Sequence, residues 1–268
     1  MLEESMINPT HLRRTRAVIL GIVLSLSASG PAWAQWLNHP DKGVPRTSDG
    51  KVNLSALAPK RPDGKPDLTG VWMGTTKYMI NIAADLKPEE MPFQPWAAAE
   101  YKRRRDTESK DDPSAQCLPL ALPLRNTITS PFKLINVAGF ESIILLFEGQ
   151  RPRQIFMDGR ALPTSPIPSW DGYSVGKWEG DDLVVESNGF NGKEWLDING
   201  HMTTEALHLI ERYHRLDVGR MSYEVTIDDP KAYTKPWKVK EELHLLPDTE
   251  LLEAVCENNL DLQHMVGK

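Results

Sequence analysis

The stretch Ala206–Pro230, ALHLIERYHRLDVGRMSYEVTIDDP, decides the fold class of this chain. It reads as two strands around the turn LDVGR. Side chains of a strand alternate between its two faces, so Leu207, Leu209, Glu211 and Tyr213 share one face of the first run. Burial of apolar surface stabilises a protein by about 25 cal/mol per Å², and the apolar face is therefore predicted to be the inner one.

The same pattern continues on both sides of this hairpin. Further strand signals are PFKLINVAG, ESIILLFEG, RQIFMDG, YSVGKWEGDDLVVESNGF, WKVKEELHLLP and ELLEAVCEN. The last two are predicted to form a hairpin around PDTE. Eight or so short antiparallel strands at this spacing indicate an up-and-down barrel or a sandwich. We predict a mainly β, antiparallel, lipocalin-like barrel with an N-terminal arm and one peripheral helix.

The N-terminus has the features of an export signal. Three arginines precede the apolar run AVILGIVLSLSAS, and AWA at 32–34 matches a cleavage site before Gln35. The predicted organisation is a signal peptide over 1–34, an extended arm over 35–66 and a barrel domain over 67–268. We therefore expect a periplasmic or secreted protein with no transmembrane span after cleavage. An uncleaved anchor is the rival interpretation, and Sec and twin-arginine export both stay open.

The charge and the two cysteines narrow the class of protein. A formal net charge of −6 argues against nucleic acid as a partner. Cys117 and Cys256 are the only cysteines, and an oxidising compartment permits a disulfide between them. Two unpaired buried thiols are the alternative.

One helix is predicted within FQPWAAAEYKRRRDTESK, where Pro95 suits the first turn. Arg103 to Arg105 lie in its later turns, a position that the helix dipole favours. This basic run is either an anion site or a solvated helix face flanked by acidic residues. The charge pattern favours the solvated face.

Two carboxylates fall on the apolar faces of predicted strands, Glu211 and Glu241. A buried carboxylate is costly unless it is paired or hydrogen-bonded. Arg153 shares a face with Ile155 and is a candidate partner. Glu211 is therefore an inward catalytic acid, one half of a structural ion pair, or a carboxylate at the open rim that faces water.

The segment WLDINGHMTTEALH contains the main catalytic candidates, Asp197, His201, Glu205 and His208. A histidine next to a carboxylate is a plausible general acid–base pair. We assign His201 as the base, oriented by Asp197 or Glu205, with Glu211 as an inward acid. His201, Glu205 and His208 are also acceptable metal ligands, but their spacing matches no tight template. We predict no metal and no cofactor.

The segment MDGRALPTSPIPSWDGYS supplies candidates for substrate binding. Asp158 and Arg160 could bind or polarise a substrate, although Asp158 followed by Gly159 also suits an ordinary turn. Trp170 and Tyr173 could form a stacking wall, although ordinary core positions explain both aromatic residues. His208 completes the predicted substrate-binding set.

The motifs PDLTGVW, KDDPSAQCLP, RQIFMDGR, SVGKWEGDDLVVESNGFN and YEVTIDDPKAYTKPW resemble those of a large group of exported bacterial proteins, mostly uncharacterised. The resemblance covers nearly all of the chain from Asp67 and implies a lipocalin-like fold. It implies no general activity. The group often has His at the positions of Leu162, Tyr173 and Thr203, and these departures weigh against a metal site here.

Three functional hypotheses follow. The first is a cofactor-independent lyase or isomerase that performs elimination, isomerisation or hydration on a small, partly apolar molecule. The second is a non-catalytic, lipocalin-like binding protein for a hydrophobic ligand. The third is a metal-dependent hydrolase. The substrate and the oligomeric state stay open.

Overall fold

A computed structural model of the protein describes residues 39–136 and 139–256. The predicted signal peptide and the first residues of the arm lie outside these ranges, as do the residues after 256. No helix in the described ranges has the length and apolarity needed to cross a membrane.

Nine strands form one closed barrel, and β9 pairs with β1 to complete it. The strands are β1 (Gly70–Met73), β2 (Phe132–Asn136), β3 (Ser142–Phe147), β4 (Gln150–Phe156), β5 (Tyr173–Glu179), β6 (Asp182–Asn188), β7 (His208–Arg215), β8 (Arg220–Asp228) and β9 (Trp237–Leu245). Every neighbouring pair except β4 and β5 is antiparallel. The predicted mainly β barrel is confirmed.

The opening stretch forms β7 and β8, which pair from His208↔Asp228 to Arg215↔Met221. The apolar face points inward as predicted. Leu209, Tyr213 and Val225 are fully buried, whereas His208 and His214 on the opposite face are partly exposed. Hydrophobic alternation thus fixes which side chains reach the interior.

The connection between β4 and β5 departs from a simple up-and-down path. These two strands pair in parallel through Phe156↔Val175 alone. Parallel neighbours require the chain to return to the end where the first strand began. The Pro-rich residues 157–172 make that return without a helix or strand of their own.

The predicted C-terminal hairpin is wrong. β9 pairs with β8 and β1, and residues 251–256 form no strand. This segment instead crosses the outside of the barrel, where Glu250 pairs with Lys133 and the Leu252 amide donates to Glu148. Pairing of β9 with β1 satisfies the backbone groups that an open barrel would leave at two edges.

The described residues contain two α-helices rather than the single one predicted. Helix α1 (Pro95–Asp106) is the predicted peripheral helix. Helix α2 (Leu122–Thr127) is not predicted by the sequence, because six residues with an internal proline show no helical periodicity. All six of its residues are buried. Two single 3₁₀ turns, Pro88–Glu90 and Pro113–Gln116, complete the helical structure.

Most non-strand residues gather at one end of the barrel, here called the helical end. Antiparallel strands alternate in direction, so residues 74–131, 189–207 and 229–236 all emerge at this end. Hydrogen bonds join the three segments: the Ile82 amide donates to Asp197 (2.7 Å), and the Tyr233 hydroxyl donates to the Met202 carbonyl (2.9 Å). The helical end is therefore a packed layer over the barrel mouth.

The arm and the disulfide fasten the outside of the barrel. The arm packs on the β7–β8 turn, where the amides of Val218 and Gly219 donate to the carbonyls of Ala56 and Leu54. The predicted bond between Cys117 and Cys256 is confirmed, with a Cα–Cα distance of 5.6 Å. It joins the segment before α2 to the end of the described chain.

Candidate functional site

The centre of the barrel contains a buried ion pair between β4 and β7. Arg153 Nη1 lies 3.0 Å from Glu211 Oε1, and a second guanidinium nitrogen donates to Glu211 Oε2. Both residues are at most 2% exposed. The two strands are not neighbours, so the pair bridges the interior.

Polar side chains complete the coordination of this pair. Glu211 Oε1 accepts hydrogen bonds from the hydroxyls of Tyr213 (3.0 Å) and Tyr223 (2.9 Å) and from the Asn126 amide (3.2 Å). Burial raises the pKa of Glu211, but the charge and hydrogen bonds of Arg153, with the tyrosine hydroxyls, lower it below the ordinary value overall. Glu211 is thus an ionised, fully coordinated carboxylate, and no contact links it to His201.

Glu241, the other inward carboxylate, is 8% exposed. Its two oxygens accept hydrogen bonds from the Thr75 hydroxyl (2.9 Å) and the Glu242 amide (2.9 Å). Those bonds offset part of the cost of burying the charge.

A second buried polar pair lies at the helical end, in the connection between β6 and β7. His201 Nδ1 is 2.5 Å from Asp197 Oδ2, and both residues are 1% exposed. The carboxylate is fixed by two backbone amides as well: His201 N donates to Oδ1 (3.0 Å) and Ile82 N donates to Oδ2 (2.7 Å). The loop and the segment after β1 thus position the pair together.

The hydrogen bond to Asp197 sets the protonation pattern of the imidazole. An ionised carboxylate only accepts hydrogen bonds, so the geometry assigns a proton to His201 Nδ1. In the neutral ring Nε2 then has a free lone pair. Within the described residues no hydrogen bond is made by Nε2. This arrangement resembles that of a general base whose second nitrogen is oriented by a carboxylate.

His201 lines a cavity of about 300 Å³. The other residues of its wall are mostly apolar or aromatic: Asn81, Ala83, Leu86, Pro88, Met91, Phe93, Ala98, Tyr101 and Arg105. Ala83 and His201 are buried, whereas Pro88, Ala98 and Arg105 are exposed. The histidine therefore lies at the floor of a cavity whose rim faces solvent.

Two aromatic rings pack against the imidazole. The centroid of Tyr101 is 4.4 Å from that of His201, and Phe93 stacks on it at 5.5 Å. Burial raises the pKa of the Tyr101 hydroxyl above its ordinary value. Tyr101 is accordingly neutral at physiological pH and presents a hydroxyl group to its surroundings.

The other candidates of the WLDINGHMTTEALH segment point elsewhere. Glu205 is exposed and pairs with Lys231. His208 lies on the outer face of β7, with Nε2 3.6 Å from Glu186. His201, Glu205 and His208 therefore do not converge on one point. In the described ranges no group of three or more His, Cys, Asp or Glu side chains is arranged around a metal position.

Three of the predicted substrate-binding residues meet at a different place. Asp158 pairs with Arg160, whose Nη1 donates to the Tyr173 hydroxyl (2.8 Å). The Arg160 guanidinium also lies 3.9 Å from the ring centroid of Phe156. Trp170 is half-buried and takes no part in this cluster. Asp158, Arg160 and Phe156 line an open hollow of about 450 Å³, which shares no lining residue with the His201 cavity.

Glu194 is not a candidate by sequence, yet it is a perturbed buried group at the helical end. It is 2% exposed, and burial raises its pKa to about 7. Its Oε1 has no hydrogen-bond partner among the described residues. The one signal in the sequence is an acid beside Trp195 in a loop rich in candidates, but a loop has no periodicity from which burial could be predicted.

Phe93, Tyr101 and Arg105 are also absent from the predicted site. The spacing of Tyr101 and Arg105 by four residues places both on one face of α1 and is the signal that could have found them. Phe93 precedes the helix in a segment without a pattern.

Comparisons with protein-family models, with curated proteins and with solved structures each find no significant match to this chain.

Proposed function

We propose that this protein is an exported, cofactor-independent enzyme that performs acid–base chemistry on a small, partly apolar molecule. Elimination, isomerisation and hydration are the reaction types that fit, which favours a lyase or an isomerase. The observation that carries the proposal is the Asp197–His201 pair at the floor of an apolar cavity.

In the proposed reaction, His201 Nε2 removes a proton from carbon or oxygen of the bound molecule. Asp197 stabilises the resulting imidazolium and keeps the ring in one orientation, because it accepts the Nδ1 hydrogen bond. The imidazolium then returns its proton to another atom of the substrate or to a leaving group. A positioned general base of this kind contributes about 10²- to 10⁴-fold to a rate.

The site of the proposed chemistry is the helical end and not the barrel interior. The Arg153–Glu211 bridge and its partners occupy the centre of the barrel. The His201 cavity has a solvent-facing rim and is large enough for a small ring compound. The lining is apolar apart from Asn81, Tyr101, Arg105 and His201, which supports a substrate with an apolar body.

Proton exchange tests the proposal, because removal of a proton from carbon is a step that elimination and isomerisation share. A panel of small aromatic and aliphatic carbonyl compounds is incubated with the protein in D₂O, and deuterium uptake at carbon is followed by NMR. We expect catalysed exchange in at least one compound and a loss of about 10²- to 10⁴-fold in rate with His201→Gln. Asp197→Asn is expected to slow exchange as well, since it removes the charge that stabilises the imidazolium.

The control is His214→Gln, because His214 lies on the outer face of β7 beside Asp182. It should leave the exchange rate unchanged. Full exchange activity in a folded His201→Gln protein would refute the assignment. Saturable binding of panel compounds without any exchange would instead support the hydrophobic-ligand binding protein.

The export part of the proposal rests on the N-terminal sequence alone. Expression of the full chain in a Gram-negative host, followed by N-terminal sequencing of the periplasmic protein, tests it directly. A mature start at Gln35 is expected. An intact N-terminus in the membrane fraction would favour the uncleaved anchor.

A further inference from the structure

The basic run of α1 separates into paired and unpaired members. Lys102 pairs with Asp106, and Arg103 pairs with both Glu100 and Asp111. Arg104 is also satisfied: its Nε donates to Glu100 (2.9 Å) and its Nη1 to the Gly200 carbonyl (3.0 Å). Arg105 is the one member of the run with no carboxylate partner among the described residues.

The unpaired guanidinium lies on the rim of the His201 cavity. Arg105 lines that cavity and is itself exposed. It follows Tyr101 by one helical turn, so both side chains cover the same face of α1. The side chains of Arg105 and Asn199 both lie close enough to the Tyr101 hydroxyl to lower its pKa, although burial has the larger and opposite effect.

The wall of the His201 cavity carries charge of one sign. Arg105 is the only permanently charged residue in the described lining, and the lining contains no Asp or Glu. A site with one sign of charge beside apolar walls raises the local concentration of ligands of the opposite charge. Asp197 lies behind the imidazole, where it is bound by His201 and by two backbone amides.

We propose that the His201 cavity takes a small carboxylate with an aromatic or otherwise planar apolar body, and that Arg105 binds the carboxylate group. The inference rests on the proposed function, because it names the substrate class of that same site. A guanidinium can bind a carboxylate through two parallel hydrogen bonds. Phe93 and Tyr101 line the same cavity and pack against the imidazole, so they supply aromatic walls for the body of the ligand. The body of the ligand then extends from the rim toward His201.

Arg105 is thus a substrate-binding residue that determines specificity. Its guanidinium is partly solvated, so the attraction is weaker than for a buried pair. We expect a preference of about two- to fivefold for an anionic ligand over its neutral amide, the range that an exposed ion pair supplies, and this preference should decrease with added salt.

The test compares three probes: sodium phenylacetate, neutral phenylacetamide and sodium acetate. Binding to the full protein is measured by NMR titration at low ionic strength. Phenylacetate should bind saturably, about two- to fivefold more tightly than phenylacetamide, while acetate alone should bind much more weakly than either. Shifts of the His201 ring signals should accompany the binding of phenylacetate.

Arg105→Gln should remove the preference for phenylacetate over phenylacetamide without changing the melting temperature. Arg103→Gln is the matched control: the residue lies on the same helix, and its guanidinium pairs with Glu100 and Asp111. Equal affinity of the native protein for both phenyl compounds, absence of saturable phenylacetate binding, or a preference that survives Arg105→Gln would overturn the proposal.

The binding test separates this inference from the proposed reaction. His201→Gln is expected to retain the preference for phenylacetate, since the anchor is Arg105. Charge-selective binding without proton exchange would therefore leave the anion site intact and refute the acid–base reaction. Proton exchange of neutral compounds without charge selectivity would instead support the acid–base reaction and refute the anion site.

Discussion

At the scale of single residues, Glu194 shows how position alone changes the chemistry of a carboxyl group. Its neighbourhood at the helical end has no cation within hydrogen-bond reach of Oε1 among the described residues. Burial therefore raises its pKa from 4.5 to about 7, with a smaller contribution from the charge of Asp171. Glu211 is equally buried but bound by Arg153, and its pKa is lowered. The partner decides the direction of the shift.

Glu194 should make the protein less stable as the pH rises. In the unfolded chain this group ionises near pH 4.5, whereas in the folded protein it ionises near 7. Between these values only the folded state binds the proton, so the free energy of unfolding decreases as pH increases. The total decrease is about 3 kcal/mol, from the 1.36 kcal/mol that corresponds to one pKa unit. The effect levels off above about pH 8, where Glu194 is ionised in both the folded and the unfolded protein.

Urea unfolding at pH 5, 6, 7 and 8 measures this effect. Glu194→Gln should flatten the profile and be more stable than the native protein at pH 8. Glu205→Gln is the control, because Lys231 lowers the pKa of Glu205. Glu205 is therefore ionised in both the folded and the unfolded protein above about pH 5. The same slope in Glu194→Gln as in the native protein would exclude this residue as the cause.

At the scale of elements, residues 250–256 have a strand-like sequence but pair with no strand in the described part of the chain. Their sequence ELLEAVC is apolar enough to be predicted as a strand. In the structure both edges of β9, the predicted partner, are already paired, one with β8 and the other with β1. The segment is fixed instead by Lys133, by Glu148 and by the disulfide of Cys256. Side chains and a covalent bond thus replace a ladder of backbone hydrogen bonds.

Removal of the disulfide should therefore destabilise the protein and release this segment. The bond links residues 139 positions apart, and closing a loop of that size restricts the unfolded chain. Replacing both cysteines by serine should lower the free energy of unfolding by about 2–4 kcal/mol. Hydrogen exchange at the Leu252 amide should also become faster, whereas exchange in β7 and β8 should change only with global stability.

Urea unfolding and hydrogen exchange with NMR measure the two effects. The native protein with its disulfide reduced should match the serine variant. Unchanged stability together with unchanged exchange at Leu252 would show that the segment is held in place without the covalent bond.

At the scale of the whole molecule, the barrel closes around a polar bridge. Arg153 comes from β4 and Glu211 from β7, and their pairing depends on closure of the complete sheet. Desolvation of two charges is costly, and good geometry with further hydrogen bonds offsets that cost. Ser174, Ser187, Tyr213, Tyr223 and Asn126 supply those bonds.

Loss of one partner of the Arg153–Glu211 pair should destabilise the protein more than loss of both partners. Glu211→Leu leaves the Arg153 charge buried without an anion and should lower the free energy of unfolding by about 3–5 kcal/mol. The double variant Arg153→Met/Glu211→Leu should recover part of this loss, although the two tyrosine hydroxyls then lack their acceptor. Urea unfolding of the native protein, the two single variants Arg153→Met and Glu211→Leu, and the double variant gives a double-mutant cycle. A double variant as unstable as the sum of the two single variants would show that the pair does not interact energetically.

Much of the fold was predictable because a strand has a period of two. The inward faces of β7, β8 and β9, the burial of Glu211, the peripheral helix and the disulfide all follow from local pattern or composition. The pairing of β9 with β1 and the buried helix α2 did not. Both depend on contacts between residues far apart in the chain, and α2 is too short for its period to be visible.

The candidate site, like the fold, was only partly predictable from the sequence. The sequence indicated Asp197 and His201 as possible partners, because two side chains four positions apart in one loop can come into contact. Only the tertiary structure decided that Glu205 and His208 point away and that Glu211 forms an ion pair with Arg153. It also decided that Arg105, on the rim of the His201 cavity, has no acid partner among the described residues. The physical reason is that local alternation sets which side of an element a group occupies. Which groups then meet depends on how the nine strands close and how the helical end packs over the barrel.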